Sequence, residues 1–214
     1  MFGIHDLGLF IVSGLLLNMA PGPDSLLIVS RSAAQGWRSG SAAALGIGSG
    51  TLVHIFAAAL GLSALLATSA MAFTMVKYIG AAYLIYMGGK LLLSRPAAPA
   101  ISQPVQVQVQ VLAYRAVFLQ GFFCNLLNPK IALFFLAFVP QFISDHSPSK
   151  ALAFILLGCI FNANGMLWCH FLAISSAKIS QRIRISNAFT CWTDRTIGAI
   201  FISFGIKLAL YSRN

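Results

Sequence analysis

Six stretches of this chain stay apolar for about twenty residues each, the length a helix needs to cross a hydrocarbon core about 30 Å thick. They run over about 7–30, 40–67, 71–93, 115–142, 150–175 and 196–212. With 58% hydrophobic and 8% charged residues and a mean hydropathy of +0.85, the sequence is too apolar for a surface that faces water. The spans take up most of the 214 residues, which leaves no room for a soluble catalytic domain. The expectation is an all-α integral membrane protein of six transmembrane helices, with residues 1–214 forming a single membrane domain.

The formal net charge of +10 does not point to nucleic acid, because the basic residues lie in short clusters between spans and form no stripe. The bilayer accounts for them better. If the N-terminus is outside, Arg31, Arg38, Lys90, Arg95, Arg115, Lys178, Arg182, Arg184 and Arg195 fall inside, against Lys77, Lys150, Lys207 and Arg213 outside. The positive-inside rule then places both termini outside, consistent with six crossings. The first span lacks a basic leader region and a small-residue cleavage site, so it reads as a membrane helix and not as a removable signal.

Residues 94–114, "SRPAAPAISQPVQVQVQVLAY", form the clear linker, with an extended Val-Gln alternation that has no strand partner. The linker separates a first three-span unit, about 1–93, from a second, about 115–214. The two units resemble each other. Gly14, Asn18 and Pro21 in span one match Gly121, Asn125 and Pro129 in span four, with one extra residue before the second proline. "IGAAYLIYMGGKLLL" from Ile79 matches "IGAIFISFGIKLALY" from Ile197 with a single-residue gap. Two copies of an odd number of spans must have opposite orientations, which is the inverted-repeat plan of many secondary transporters. In the second span, Gly40, Gly46, Gly48 and Gly50 predict close helix packing in lipid.

The repeated element is a helix break. Pro21, Gly22 and Pro23 interrupt span one, and Asn128 with Pro129 interrupts span four. A proline removes a backbone donor and frees a carbonyl one turn back, which in hydrocarbon must face protein, water or a ligand. Each break also starts a half-helix whose N-H groups suit a carboxylate. Asp24 and Lys130 stand beside the two breaks, although a charge deep in a bilayer costs about 2.5 to 3.5 kcal/mol even on a lenient scale. One reading has Lys130 and the half-helix N-termini hold a substrate carboxylate while Asp24, Asn18 and Asn125 hold an ammonium. A permanent Asp24 to Lys130 ion pair is the rival, and Asp24 also suits a helix cap. The candidate binding residues are therefore Asn18, Pro21, Gly22, Asp24, Asn125, Asn128, Pro129 and Lys130.

Other polar residues in the spans carry less. His54 and His170 read as satisfied packing histidines ahead of proton relays. Asn162 and Asn164, two apart, cannot share one helix face, so at most one lines a cavity. Tyr83, Tyr86, Trp37 and Trp168 read as interface or packing aromatics. Cys124, Cys159 and Cys169 fall in spans and Cys191 in a connection, with no paired spacing, so buried packing thiols are expected and neither a metal nor a cofactor is.

"APGPD" at 20–24, "GWRSG" at 36–40, "IGAAYLIYMGGKLL" at 79–92 and "NLLNPKIALFFLAFVPQF" at 125–142 together resemble the LysE/RhtB amino-acid exporters. The resemblance covers almost the entire chain. It implies a bacterial inner-membrane protein of six helices that exports amino acids or close derivatives, driven by the proton motive force, with site residues at Pro21, Gly22, Pro23, Asp24, Asn125, Asn128, Pro129 and Lys130. Relatives often carry an acid in the fifth helix, where this chain reads "GCIFNANGMLWCHF". Coupling here would then run through Asp24 or not at all.

The leading reading is a secondary exporter of a small amino acid, with a neutral one favoured because no second buried acid is visible for a cationic substrate. A channel or a non-transporting membrane scaffold is the alternative. An enzyme is disfavoured, since the chain has four aspartates, no glutamate and no nucleophile spaced with a base. A chain of only six spans also suits a homodimer.

Overall fold

A computed structural model describes residues 2–68, 70–93, 111–144 and 146–179, and residues 195, 198, 199, 202, 203, 205, 206, 209 and 210. Among them, α1 (Leu7–Met19), α2 (Pro23–Gln35), α3 (Trp37–Thr68) and α4 (Ala70–Leu92) precede the linker. After it come α5 (Tyr114–Leu126), α6 (Pro129–Leu133) and α7 (Lys150–Ile179). The Val-Gln stretch up to residue 110 and Cys191 lie outside the described residues.

Both predicted breaks are present. The α1 and α2 axes meet at 54° and those of α5 and the segment Pro129–Phe142 at 47°. Helix α2 opens with Pro23 in its first turn, where a missing N-H costs nothing and the ring presets φ. It closes at Gly36, whose φ of 82° is a left-handed value that favours glycine. The start of α6 is capped by Asn128, whose Oδ1 accepts from the Lys130 backbone N-H at 3.1 Å. Beyond α6 the helix loosens into a π-turn at Phe134–Phe138 and a 3-10 turn at Val139–Phe142. Pro140 lies in that second turn and cannot donate to the carbonyl four residues back.

Trp37–Gly61 within α3 and Lys150–Lys178 within α7 are long and apolar enough to cross a membrane alone, and each bent pair passes as one broken span. By length and composition, the described residues thus hold up to four candidate crossings. The expected third span is the helix α4, several of whose side chains are not described. Most of the expected sixth span, 196–212, is likewise outside the described set.

Helix α3 packs against both α5 and α7 at the centre of the fold. Its glycines set the spacing. A Cβ at Gly46 would collide with the Phe118 carbonyl of α5, and one at Gly121 of α5 with the Ala43 carbonyl of α3. A Cβ at Gly50 would lie 2.9 Å from the Phe122 oxygen. The two backbones therefore touch, the packing that replaces hydrophobic drive in lipid. A second close approach joins the two matching segments found in the sequence. A Cβ at Gly88 would lie 2.6 Å from the Gly198 oxygen, and one at Gly205 2.9 Å from the Ala81 oxygen. The late glycine of each segment thus meets the early part of the other.

An aromatic cluster fills the space between the second break and α7. Phe134, Phe138 and Phe142 form an i, i+4 ladder with centroid spacings of 5.2 and 5.1 Å, and Phe161 of α7 lies 4.6 Å from Phe134. Outside, Leu26, Leu60, Leu127, Leu167 and Phe171 present an apolar surface, as a lipid-facing exterior requires. One expectation fails here. Cys159 is exposed, on the outer face of α7, whereas Cys124 and Cys169 are half-buried and Cys169 packs against the core beside Ile28 and Ala173.

Candidate functional site

The two breaks converge on one cavity of about 20 Å³, room for about one water molecule. Its polar wall comes from Asn18 of α1, Asp24 and Ser25 of α2, Thr51 of α3, Asn125 of α5, Lys130 of α6 and Asn162 of α7. The apolar wall includes Ile47, Ile131, Phe161 and Met166. Asp24, Asn125 and Lys130 are 8%, 1% and 7% exposed, so the two charges and the amide depend on the protein groups around them.

Asp24 is held through one oxygen. Its Oδ2 accepts from Asn125 Nδ2 at 2.8 Å and from Asn128 Nδ2 at 3.3 Å. The other face of the Asn125 amide meets the Thr51 hydroxyl, which lies 3.2 Å from Asn125 Oδ1 and 3.1 Å from the Ile47 carbonyl. One hydroxyl proton serves both acceptors. Asp24 Oδ1 is buried without a hydrogen-bond partner among the described groups, as is Asn18 Nδ2. An unmet acceptor and an unmet donor thus line the same cavity.

Lys130 takes a different partner from the one that its charge suggests. Its Nζ donates to the Leu17 and Ala20 carbonyls at 3.2 and 3.3 Å. Leu17 O is the acceptor that Pro21, lacking an N-H, leaves without its helical donor. Lys130 therefore caps the C-terminus of α1, where a cation is also favoured by the helix dipole. Gly22 lets it pass, since a Cβ there would sit 3.3 Å from Nζ. No ion pair within 4.0 Å joins Asp24 to Lys130 among the described residues, so the direct pair considered from the sequence is not formed.

Of the eight sequence candidates, Asn18, Asp24, Asn125 and Lys130 line the cavity. Asn128 is buried behind Asp24, and Gly22 touches Lys130. Pro21 and Pro129 are exposed and shape the breaks without reaching the cavity. The Asn125 Nδ2 is given to Asp24, while its Oδ1 accepts from Thr51 and keeps a second lone pair. Of the two α7 asparagines, Asn162 reaches the cavity. Sequence reasoning missed Thr51, Ser25 and Met166. A hydroxyl inside a long apolar helix was the available signal for Thr51. His54 Nε2 lies 3.2 Å from the Asn125 carbonyl.

Chemically, the wall offers an unmet carboxylate oxygen, an unmet amide donor and a lysine ammonium beside an apolar surface. That set suits a small dipolar molecule with an apolar group. Among the described residues, no cluster of three His, Cys, Asp or Glu side chains suits a metal.

An uncharacterized membrane protein of Pseudomonas aeruginosa is 33% identical to this chain over 213 residues, covering 97% of this chain and 96% of that protein. Leucine efflux proteins of Salmonella typhimurium and Salmonella choleraesuis are each 28% identical over 208 residues, covering 97% of this chain and 96% of theirs. No solved structure matches the chain. A family model described as LysE type translocator matches residues 15–212. With the match running across both helix breaks and the cavity between them, the chain belongs to the LysE type translocators.

Proposed function

We propose that the protein is a secondary transporter that exports a small neutral amino acid across a bacterial inner membrane, using the proton motive force. The observation that carries this reading is the pair of unmet polar atoms, Asp24 Oδ1 and Asn18 Nδ2, on the wall of one buried cavity. A zwitterion complements both, with its ammonium at Asp24 and its carboxylate toward Asn18 and the Lys130 ammonium. The side chain then meets Ile47, Ile131, Phe161 and Met166. These apolar neighbours favour an aliphatic amino acid over a cationic one, in keeping with the leucine efflux proteins among the relatives.

The cavity as it stands holds about one water, so the structure represents a closed form. Substrate entry requires the breaks to part from α7. Six spans in a single membrane domain, arranged as two inverted repeats joined by the linker, suit that motion, with both termini periplasmic. The paired breaks and the reciprocal Gly88 and Gly205 contacts support that plan.

Counterflow in proteoliposomes tests the function. A transporter preloaded with unlabelled leucine transiently accumulates labelled leucine, and dissipating the proton gradient lowers net export. A channel gives uncoupled flux without accumulation, and a scaffold gives neither. Absence of counterflow with every neutral amino acid would end this reading.

A further inference from the structure

The helix breaks are capped from opposite halves of the chain. Each proline removes the donor that would serve the carbonyl four residues earlier, Leu17 for Pro21 and Asn125 for Pro129. Lys130, in the second half, donates to Leu17 O in the first. His54, in the first half, reaches Asn125 O in the second at 3.2 Å. A carbonyl only accepts, so the facing Nε2 of His54 carries hydrogen whether the ring is neutral or charged. The Asn128 N-H fills the other side of the same carbonyl at 2.9 Å.

His54 lies outside the cavity wall. The residue that it caps has its side chain on that wall, and Asn125 Nδ2 is the closer of the two amide donors on Asp24 Oδ2. Fixing the Asn125 backbone therefore fixes where its amide meets Asp24. Thr51 stands one helical turn before His54 on the same face of α3 and grips the Asn125 side chain. Helix α3 thus holds Asn125 at two points, its carbonyl through His54 and its amide through Thr51.

We propose that His54 is a positioning residue of the transport site, acting through Asn125 by a hydrogen bond that both protonation states of the ring preserve. This rests on reading the cavity as the transport site. It assigns His54 a role that is neither inert packing nor proton relay, and it makes the cross-capping of the breaks reciprocal. Opening the cavity must release or carry along both caps.

The test compares wild type, His54→Phe and His54→Gln in lipid nanodiscs. Glutamine keeps an N-H donor of similar reach, whereas phenylalanine keeps the bulk without the donor. Amide exchange across residues 121–133 is expected to be about fivefold faster in His54→Phe, the effect of losing one ordinary buried hydrogen bond, and to return close to wild type in His54→Gln. The counterflow KM should rise in His54→Phe and recover in His54→Gln. His54→Leu serves in place of His54→Phe should the latter fail to insert. Equal exchange in all variants, or a glutamine variant as impaired as the apolar one, overturns the cap. Restored exchange and KM with a shifted pH profile in His54→Gln overturns the exclusion of proton relay. If the wild type shows no counterflow but the exchange pattern holds, the transport reading fails and the cap stands as a structural contact alone.

Discussion

Asn125 donates from Nδ2 to Asp24 Oδ2 at 2.8 Å, joining the two helix breaks across 101 residues of sequence. Each break alone is a kink in an apolar helix. The bond places the carboxylate of one beside the amide of the other and leaves the second carboxylate oxygen buried without a hydrogen-bond partner among the described groups.

Replacing Asn125 with leucine removes the shorter of the two amide bonds to Asp24 and leaves the Thr51 hydroxyl only the Ile47 carbonyl. A hydrogen bond to a charged group contributes about 1.5–3 kcal/mol. Asn125→Leu should lower thermal stability in nanodiscs by a comparable amount and reduce counterflow at least about tenfold. Unchanged melting and transport would show that Asn128 suffices.

Lys130→Met is expected to fail for a reason separate from charge at the cavity. It removes both side-chain donors to the Leu17 and Ala20 carbonyls, at about 1–3 kcal/mol for each buried group left unmet. Lys130→Arg keeps donors and charge and should retain more stability than transport, because the larger guanidinium crowds the space beside Gly22. Denaturation and counterflow measured on the same preparations separate the two effects. Equal stability of Lys130→Met and wild type would refute the capping role.

Gly46→Ala and Gly61→Ala form a matched pair on α3. The first drives a Cβ into the Phe118 carbonyl, whereas the second has nothing within 4 Å. Backbone cannot yield as a flexible side chain does, so Gly46→Ala should cost about 1–3 kcal/mol and lower the yield of folded protein. Gly61→Ala should be neutral or gain up to about 1 kcal/mol. Size-exclusion profiles and melting in detergent check both, and equal behaviour would refute α3 to α5 contact as the organising interface.

Met166→Ala enlarges the apolar wall of the cavity. Substrate preference should move toward bulkier aliphatic or aromatic side chains. Removing a few methylene-sized groups changes discrimination by about 10-fold or more. Competition counterflow across a series of neutral amino acids measures it, and an unchanged order of preference would place the substrate side chain elsewhere.

The membrane class, the places where the helices break and the two charges beside the breaks were legible in the sequence. Proline lacks an N-H wherever it stands, and a charge in hydrocarbon is costly whatever its neighbours, so both are local facts. The likeness of "NMAPGPDS" to "NLLNPK" also needs no structure. What meets what was not legible. Apart from α2, these spans are apolar on every side, so no hydrophobic stripe marks the inner face and the rotation of those helices stays undetermined. Close glycine contacts of α3 with α5 and α7 fix that rotation. They turn Thr51 and His54 toward Asn125 and leave Cys159 outside. The approach of α6 to the end of α1 decides that Lys130 meets the carbonyl Pro21 leaves without its helical donor, and not Asp24. Opposite charges at matching positions suggest a pair, but an unmet carbonyl within reach competes for the same ammonium, and only three-dimensional distance settles which partner it takes.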